Sequence, residues 1–292
     1  MHPPRLTVVG NCQAESTRKL LMSTGQFTSE RITPVHELTA ADLSWFTDLL
    51  GRTDVLVTQP IRDDYRGLPV GTSQLVRALP RSARHVVVPV LRFDGLMPYQ
   101  AIIRNPLDTS ENPPVVPYHD LRTLVAAARG ADHPSTAAPS AEALRRAAEM
   151  SIAQMHARER AYSTVVVSDF LETIPLWHTV NHPDNATLAH LARQVLAALQ
   201  VPGEPVLPEY EMLGQLDAPV DLAAARALGR ADDPSLQARQ LWRDRTTGVI
   251  DGAEIARAHL EYYSARPELV RHGLARHAER ITNLALDQEV AA

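Results

Sequence analysis

The sequence predicts an α/β fold, with a parallel sheet that carries helices on both faces and a mostly helical C-terminal region. Over residues 5–90, short apolar runs rich in β-branched residues alternate with helical segments, which is the pattern of strand–helix–strand units. These runs are continuously apolar rather than alternating, as expected of strands covered on both sides. The chain has 292 residues, of which 45% are hydrophobic and 22% charged, so it is long enough to bury a substantial core.

The N-terminal part supplies the predicted sheet. Strands are assigned to runs of Val, Leu, Ile and Thr that end at Gly, Pro or polar residues, and helices to the stretches between them. Gly25 is a plausible C-cap for the first helix. In chain order we predict strand Arg5–Gly10, helix Gln13–Thr24, strand Ile32–Val35, helix Ala40–Leu50, strand Asp54–Thr58, helix Thr72–Leu79 and strand His85–Val90.

The pattern changes after residue 90. We predict a long ordered loop, Leu91–Tyr118, because this segment is rich in proline and aromatic residues, and long loops in compact domains are often functional. The remaining predicted elements are linker His133–Ser140, helix Ala141–Ala161, strand or helix Thr164–Asp169, helix Thr187–Leu199, connector Val201–Pro208, and helices Leu222–Leu228, Ser235–Arg243, Ala253–Ser264 and Glu268–Leu286. We therefore predict a catalytic domain over residues 1–205, with an insertion at about 91–160, and a helical region over residues 206–292.

Composition and absent motifs exclude several classes of function. A single cysteine allows no intramolecular disulfide and, without a signal peptide, predicts a cytoplasmic protein. No apolar stretch approaches the roughly 20 residues of a membrane helix, and a net charge of −5 argues against a nucleic-acid partner. The sequence lacks the patterns GxxxxGK[ST], GxGxxG, GxSxG and CxxC, which argues against a P-loop ATPase and a dinucleotide dehydrogenase.

The string Gly10–Gln13 (GNCQ) lies where the first predicted strand ends and the first predicted helix begins. Ligands of open α/β sheets bind at the carboxyl ends of the strands. At a helix N-terminus, backbone N–H groups and the helix dipole favour thiolate over thiol, and they can stabilise a neighbouring oxyanion. We predict that Cys12 is a nucleophile, with Asn11 and Gln13 as donors and Gly10 permitting a tight turn. The alternative is that this lone cysteine is a small buried apolar residue.

Two histidines, His178 and His182, precede the predicted helix Thr187–Leu199. A thiol nucleophile needs a base within hydrogen-bond reach, and either histidine can supply it. The alternative for both is a capping or surface role. Their spacing also occurs in zinc-binding helices, but no glutamate follows His178 and Pro183 directly follows His182, so we predict no metal.

Polar and aromatic residues follow the later predicted strands. If strand Asp54–Thr58 is parallel to the first strand, Gln59 lies on the same sheet edge as Cys12 and its amide can donate to an oxyanion. Basic side chains can bind phosphate bidentately, although a strand-end turn with solvated arginines is the alternative. In the following loop, aromatic residues can flank an adenine-like group or pin the loop to the core. The expected cofactor contacts, besides Gly10, are Arg62, Tyr65, Arg66 and Phe93.

Four strings in the expected order resemble the WcbI-type polysaccharide biosynthesis proteins over about residues 5–199. They are GNCQ, DVLVTQPI with the downstream Tyr65-Arg66-Gly67, VVVPVLRFDGLMP and HTVNHPDNATLAHLARQVL. These proteins look like relatives of the SGNH/GDSL hydrolase fold, with Gly10-Asn11-Cys12 standing where that fold has Gly-Asp-Ser. The resemblance therefore implies an SGNH-like sheet and a coenzyme A-dependent acyltransferase, a function first associated with acetylating a capsular sugar.

By motif match, the resemblance implies that Cys12 is the nucleophile, that His182 is the paired histidine and that Gln59 belongs to the family's QP string. The SGNH fold usually has Asp three residues before its histidine, and that position is Thr179 here. An orienting carboxylate then comes from elsewhere, such as Asp169 or Asp184, or is missing.

These observations favour a coenzyme A-dependent acyltransferase that acts on a hydroxyl of a sugar or another small molecule, with acyl-CoA as co-substrate and no metal. One alternative is an esterase or thioesterase on the same fold, which would transfer the acyl group to water. The other is a non-catalytic binding module in which Cys12 is inert.

Overall fold

The computed structural model describes residues 2–288, and its elements follow the α/β order expected from the sequence. The strands are β1 (Leu6–Val9), β2 (Val55–Thr58), β3 (Arg84–Val87), β4 (Gln100–Ala101), β5 (His119–Asp120), β6 (Leu216–Asp217), β7 (Trp242–Asp244) and β8 (Gly248–Ile250). The helices are α1 (Cys12–Ser23), α2 (Leu43–Leu50), α3 (Thr72–Ala78), α4 (Leu121–Arg129), α5 (Ala141–Tyr162), α6 (Ser168–Leu171), α7 (Asn185–Leu199), α8 (Leu222–Ala227), α9 (Pro234–Gln237), α10 (Gly252–Ser264), α11 (Pro267–Arg276) and α12 (Ala278–Asn283), with a 3-10 turn at Ala40–Asp42.

The chain divides into two compact units that interleave along the sequence. Among the described residues, the first unit contains 2–92, 152–175 and 182–213, and the second contains 93–151, 176–181 and 214–288. Most of the predicted insertion at about 91–160 therefore belongs to the same unit as the predicted C-terminal region. The division into catalytic and helical domains stays a prediction.

A parallel sheet forms the centre of the first unit, as the sequence predicts. Strands β1, β2 and β3 lie in that order, with Leu6 opposite Val55 and Thr58 opposite both Val9 and Val87. Most of the β1 and β2 side chains are fully buried and apolar, which explains their continuous apolar sequence. The carboxyl ends of the three strands are therefore aligned at one edge of the sheet.

Helices α1 and α7 pack against each other in the first unit, and α7 also contacts β3. The side-chain oxygen of Asn11 accepts a hydrogen bond from the N–H of Gln13 at 2.9 Å, which caps α1 and starts it at Cys12. Asp184 caps α7 in the same way through the N–H of Thr187. These caps determine where the polar residues before each helix lie.

The second unit is mainly helical but also contains short antiparallel strands. β4 pairs with β5, while β6, β7 and β8 form an antiparallel sheet. Helix α4 packs against α10 and α11 around a buried apolar cluster that includes Leu121, Leu124 and Tyr263. Gly273 on α11 faces Ile103 and Leu124, whose side chains lie within 3 Å of where a Cβ atom would be.

Three predicted elements differ from the structure. Ile32–Val35 is not a strand, because Pro34 has no N–H to donate and the segment instead inserts its apolar side chains into the core beside β1 and β2. The predicted helix Ser235–Arg243 ends at Gln237, and Trp242–Asp244 becomes β7. The predicted helix Glu268–Leu286 is interrupted at His277, whose φ of −111° and ψ of 16° are not helical.

For the segment Thr164–Asp169, strand and helix were alternative predictions, and its last two residues form the start of the short helix α6. Within residues 2–288, no helix combines the length and the apolar character needed to cross a membrane.

Candidate active site

The candidate site of the first unit lies at the aligned carboxyl ends of the parallel strands. Cys12 is the first residue of α1, three positions after the end of β1, and Gln59 directly follows β2. Leu91 comes shortly after β3. The parallel register confirms the condition under which Gln59 was expected on the same edge as Cys12.

Cys12 and His182 lie side by side although 170 residues separate them in sequence. The Sγ atom of Cys12 is 3.6 Å from Nε2 of His182, within hydrogen-bond distance for sulfur, and both residues are partly buried. His182 occupies the turn immediately before the capped start of α7. In the tautomer whose proton is on Nδ1, Nε2 can accept the thiol proton.

The thiol is held in its neutral form by its surroundings. Burial raises the pKa of Cys12 above its ordinary value, while the backbone N–H groups of Cys12 and Gln13 lower it by a smaller amount. The helix N-terminus therefore acts in the direction that the sequence predicts, but desolvation outweighs it. Since the thiol is not ionised by the helix alone, the neighbouring imidazole is needed to remove its proton.

A network of amide hydrogen bonds connects the three strand ends. Oε1 of Gln59 accepts from the backbone N–H of Asn11 at 2.9 Å, and Nε2 of Gln59 donates to Oε1 of Gln13 at 3.0 Å. The Gln13 amide in turn donates to the carbonyl of Leu91 at 2.9 Å and accepts from its N–H at 3.0 Å. Gln59 is only 4% exposed, so this network fixes the backbone on either side of Cys12 from within the core.

Gly10 permits this arrangement because it has no Cβ. A Cβ at this position would lie 2.6 Å from Oε1 and 2.8 Å from Cδ of Gln59. Any larger residue would displace the glutamine that holds Asn11. The glycine of the GNCQ string is thus required for close approach of the Gln59 side chain.

The network changes which groups can donate to an oxyanion. The N–H of Asn11 is engaged by Gln59, and the N–H of Gln13 is engaged by Asn11. Among residues 2–288, no acceptor takes Nδ2 of Asn11 or the backbone N–H of Cys12, so these two donors beside the thiol are left available. The expectation that the Gln59 side chain donates directly is less well supported, because it already donates to Gln13.

Residues expected to bind a cofactor have different environments. Arg62 and Arg66 are exposed, and no hydrogen bond or ion pair within the described chain uses either guanidinium. Tyr65 is half-buried against the apolar cluster of the first unit. Phe93 belongs to the second unit, where its ring is 1% exposed and packs edge-on against Trp177. So little of this ring is exposed that it offers a ligand almost no surface, and the cofactor contact expected at Phe93 stays a prediction.

The other candidate histidine, His178, lies in the second unit. Its Nδ1 is 2.6 Å from Oδ1 of Asp217, and Arg239 forms an ion pair with the same carboxylate at 3.3 Å. Burial alone would raise the pKa of Asp217, but the hydrogen bond with His178 and the charge of Arg239 outweigh it, so the pKa lies below its usual value. Sequence analysis missed Asp217, because no motif links it to a histidine 39 positions earlier.

The two carboxylates suggested as orienting groups for the histidine, Asp169 and Asp184, both lie in the first unit, and their role stays a prediction. Asp169 is exposed in the first turn of α6, whereas Oδ1 of Asp184 accepts from both the N–H and the hydroxyl of Thr187. Thr179 belongs to the second unit, where its hydroxyl is 2.8 Å from that of Tyr118.

Among the described residues, no group of three or more His, Cys, Asp or Glu side chains is placed to hold a metal ion.

Comparison with known proteins gives two findings. A family model described as "Polysaccharide biosynthesis enzyme WcbI" matches residues 5–204. A solved structure of WcbI, described as a polysaccharide biosynthesis enzyme and as the native protein without a disulfide bond between coenzyme A and one of its cysteines, is similar with a TM-score of 0.79. The two sequences are 15% identical, and the match covers 99% of this chain and 100% of the other. No curated protein matched the sequence.

The family model covers more than half of the chain and includes Cys12, Gln59 and His182. The structural similarity extends over both units. The chain therefore belongs to the WcbI family of polysaccharide biosynthesis enzymes.

Proposed function

We propose that this protein is a coenzyme A-dependent acyltransferase that moves an acyl group, such as acetyl, from acyl-CoA to a hydroxyl of a sugar or another small molecule. The proposal depends most on one observation, the 3.6 Å separation between Sγ of Cys12 and Nε2 of His182 at the carboxyl ends of the parallel strands. Membership of a polysaccharide biosynthesis family supports a sugar-type acceptor. The description of the related structure, which mentions coenzyme A together with a cysteine, supports the donor.

In the first half-reaction, Nε2 of His182 takes the proton of the Cys12 thiol and the sulfur attacks the thioester carbonyl of acyl-CoA. A tetrahedral oxyanion forms, and Nδ2 of Asn11 is the side-chain donor beside it. The carbon–sulfur bond to coenzyme A then breaks, and the departing thiolate takes the proton from His182. The products are free coenzyme A and an acyl group on Cys12.

In the second half-reaction, His182 removes the proton of the acceptor hydroxyl, whose oxygen attacks the acyl carbon on Cys12. The bond to sulfur breaks, the ester is released and the proton returns to the thiol. In a direct alternative, His182 activates the acceptor hydroxyl for attack on acyl-CoA without an acyl-cysteine. If water attacks the acyl group instead of the acceptor hydroxyl, the product is a free acid and the enzyme is a thioesterase. The molecule that attacks therefore determines whether the enzyme is a transferase or a hydrolase.

The exposed guanidinium groups of Arg62 and Arg66 are suited to the phosphates of coenzyme A. Neither has an ion-pair partner among the described residues, so binding a phosphate breaks no existing salt bridge. Arginine binds phosphate through two parallel N–H donors. Both residues follow the strand end that carries Gln59, on the first unit.

The test is to incubate the protein with acetyl-CoA, stop the reaction at low pH and analyse the peptide containing Cys12 by mass spectrometry. We expect one acetyl group on this peptide in the wild-type protein and none in Cys12→Ala, which should still bind coenzyme A. Since general-base catalysis contributes about 10²–10⁴-fold, His182→Gln should slow acylation by at least about 100-fold. His272→Gln, at an exposed histidine of α11, is the matched control and should have no effect.

A second measurement separates the alternatives. Coenzyme A release is followed by chromatography with and without methyl α-D-glucopyranoside, N-acetyl-D-glucosamine and related glycosides as acceptors. Release that requires a glycoside and yields its ester supports the transferase, whereas equal release in water alone indicates a thioesterase. Full transfer activity in Cys12→Ala would exclude the acyl-cysteine, and absence of release under every condition would leave only the binding module.

A further inference from the structure

One segment of the first unit, residues 206–212, contacts both of the helices at whose starts the candidate site lies. The N–H of Val206 donates to Oγ of Ser23, the last residue of α1, at 2.8 Å. Farther along the segment, the hydroxyl of Tyr210 accepts from Nζ of Lys19, about one turn nearer the start of α1, at 3.1 Å. The 206–212 segment therefore runs along α1 towards the N-terminal end of that helix.

The same segment is attached to the start of α7 through Asn185, the first residue of that helix. The Asn185 side chain donates from Nδ2 to the carbonyl of Tyr210 at 2.7 Å and accepts at Oδ1 from the N–H of Met212 at 3.1 Å. Between these two bonds, Oε2 of Glu211 accepts from the backbone N–H of Asn185 at 2.9 Å. One residue of α7 is thus joined to three consecutive residues of the segment.

Burial and charge make this attachment strong. Asn185 is 5% exposed, so its amide cannot exchange its partners for water without leaving the core. The carboxylate of Glu211 accepts from the first turn of α7, where the helix dipole favours negative charge. Hydrogen bonds to charged groups are roughly twice as strong as neutral ones, so the bond from Glu211 should contribute most to the attachment.

The attachment lies three residues after His182 in the chain. Pro183 follows the histidine directly, and a proline ring fixes the backbone φ near about −65°, so little freedom remains between His182 and the capped start of α7. The imidazole has to keep Nε2 close to Sγ of Cys12, and these atoms are 3.6 Å apart. Misplacing a reacting group by about 1 Å can slow a reaction by about 100-fold. Fixing the start of α7 therefore fixes the distance on which the reactivity of the pair depends.

We propose that Glu211 is a positioning residue of the Cys12–His182 pair. Its hydrogen bond to the start of α7 holds the turn that carries the imidazole beside the thiol. Glu211 acts as a hydrogen-bond acceptor, so an uncharged acceptor of the same length should replace it. Its role in acyl transfer rests on the proposed function, whereas its effect on the reactivity of the thiol can be measured without acyl-CoA.

The test measures the rate at which iodoacetamide alkylates Cys12 at pH 7, by mass spectrometry of the intact protein. Because Cys12 is the single cysteine of the chain, the added group reports this thiol alone. Glu211→Ala should slow alkylation by about 10-fold, since a displaced imidazole takes up the thiol proton less readily. Glu211→Met keeps the length of the side chain but removes the acceptor, and it should be slowed to the same extent.

Two further variants separate the hydrogen bond from other effects of substitution. Glu211→Gln retains an acceptor oxygen and should recover most of the rate that Glu211→Ala loses. Glu209→Ala changes an exposed glutamate of the same segment and is the matched control, for which we expect no effect. An unchanged rate in Glu211→Ala and Glu211→Met would overturn the proposal, as would a rate in Glu211→Gln as low as in Glu211→Ala.

A double-mutant cycle distinguishes positioning of His182 from a general structural role. In the His182→Gln background, Glu211→Ala should change the alkylation rate by less than about 2-fold, because the group that Glu211 positions is gone. Equal slowing in both backgrounds would overturn the proposal, and circular dichroism at the assay temperature verifies that each variant is folded. A failure of acyl transfer would leave this result intact, because no acyl donor is present.

Discussion

Replacing Gln59 by glutamate tests whether the amide network holds the backbone beside Cys12. The wild-type glutamine both accepts from the N–H of Asn11 and donates to Oε1 of Gln13. The Gln13 amide cannot turn over to compensate, because its oxygen and nitrogen are both paired with the backbone of Leu91. A protonated glutamate can reproduce both bonds, whereas an ionised one would place a negative oxygen against Oε1 of Gln13.

The size of the effect follows from burial. Gln59 is 4% exposed, so desolvation and the facing oxygen of Gln13 should both raise the pKa of a glutamate at this position. The unfolded chain releases the proton near pH 4.3, whereas the folded protein retains it to higher pH. The destabilisation relative to wild type should therefore be small below about pH 4.3 and grow by about 1.4 kcal/mol per pH unit above it. Between pH 5 and 7 this amounts to about 2.7 kcal/mol, provided that the folded-state pKa exceeds 7.

Urea unfolding of wild type and Gln59→Glu at pH 5, 6 and 7 measures this slope. Gln154→Glu, at an exposed position of α5, is the control and should show no pH-dependent difference from wild type. A difference for Gln59→Glu that is constant with pH, or that shrinks as pH rises, would refute the argument that the amide network accepts no negative charge.

Two further substitutions test the close approach at the site and the buried histidine of the second unit. Gly10→Ala should lower the free energy of unfolding in urea by about 1–3 kcal/mol, because the new Cβ would lie 2.6 Å from Oε1 of Gln59. Gly252→Ala is the control and should not destabilise the protein, because no atom lies within 4 Å of where its Cβ would be. Equal stability of the two variants would contradict the close approach at Gly10. His119 is 2% exposed, and burial together with the charge of a neighbouring histidine lowers its pKa to about 4. Between pH 6.5 and 4, His119 therefore binds a proton in the unfolded chain but not in the folded protein, so the folded protein loses stability as the pH falls. Wild type should lose about 3 kcal/mol more over this range than His119→Gln, and a pH dependence of that variant equal to that of wild type would rule out this assignment.

Much of the candidate site could be predicted because it depends on local order along the chain. A strand followed directly by a polar turn and a helix places Cys12 at the sheet edge, and a second parallel strand brings Gln59 to the same edge. Both inferences need only the period of the apolar residues and the rule that parallel strands share an end. The proximity of His182 to Cys12, by contrast, was implied by resemblance to a family rather than by spacing.

What could not be predicted depends on contacts between distant segments. The pair His178–Asp217 joins residues 39 positions apart, and short strands such as β7 arise from pairing that overrides local helix propensity. Phe93 shows the same limitation, since an aromatic residue in a proline-rich loop has the same sequence pattern whether its ring is exposed to a ligand or buried against Trp177. Burial decides such cases, and burial is a property of the folded chain.

The structure also changes the chemical argument for Cys12. A helix N-terminus is expected to activate a thiol through its N–H groups, and those of Cys12 and Gln13 do lower the pKa of the Cys12 thiol. Burial raises this pKa by more than they lower it, so the thiol stays neutral. The reactivity of Cys12 must then come from His182. In His182→Gln, the rate of Cys12 alkylation should therefore be low at pH 7 and should still be increasing above about pH 9. Fast alkylation of that variant at pH 7 would show that the helix, and not the histidine, generates the nucleophile.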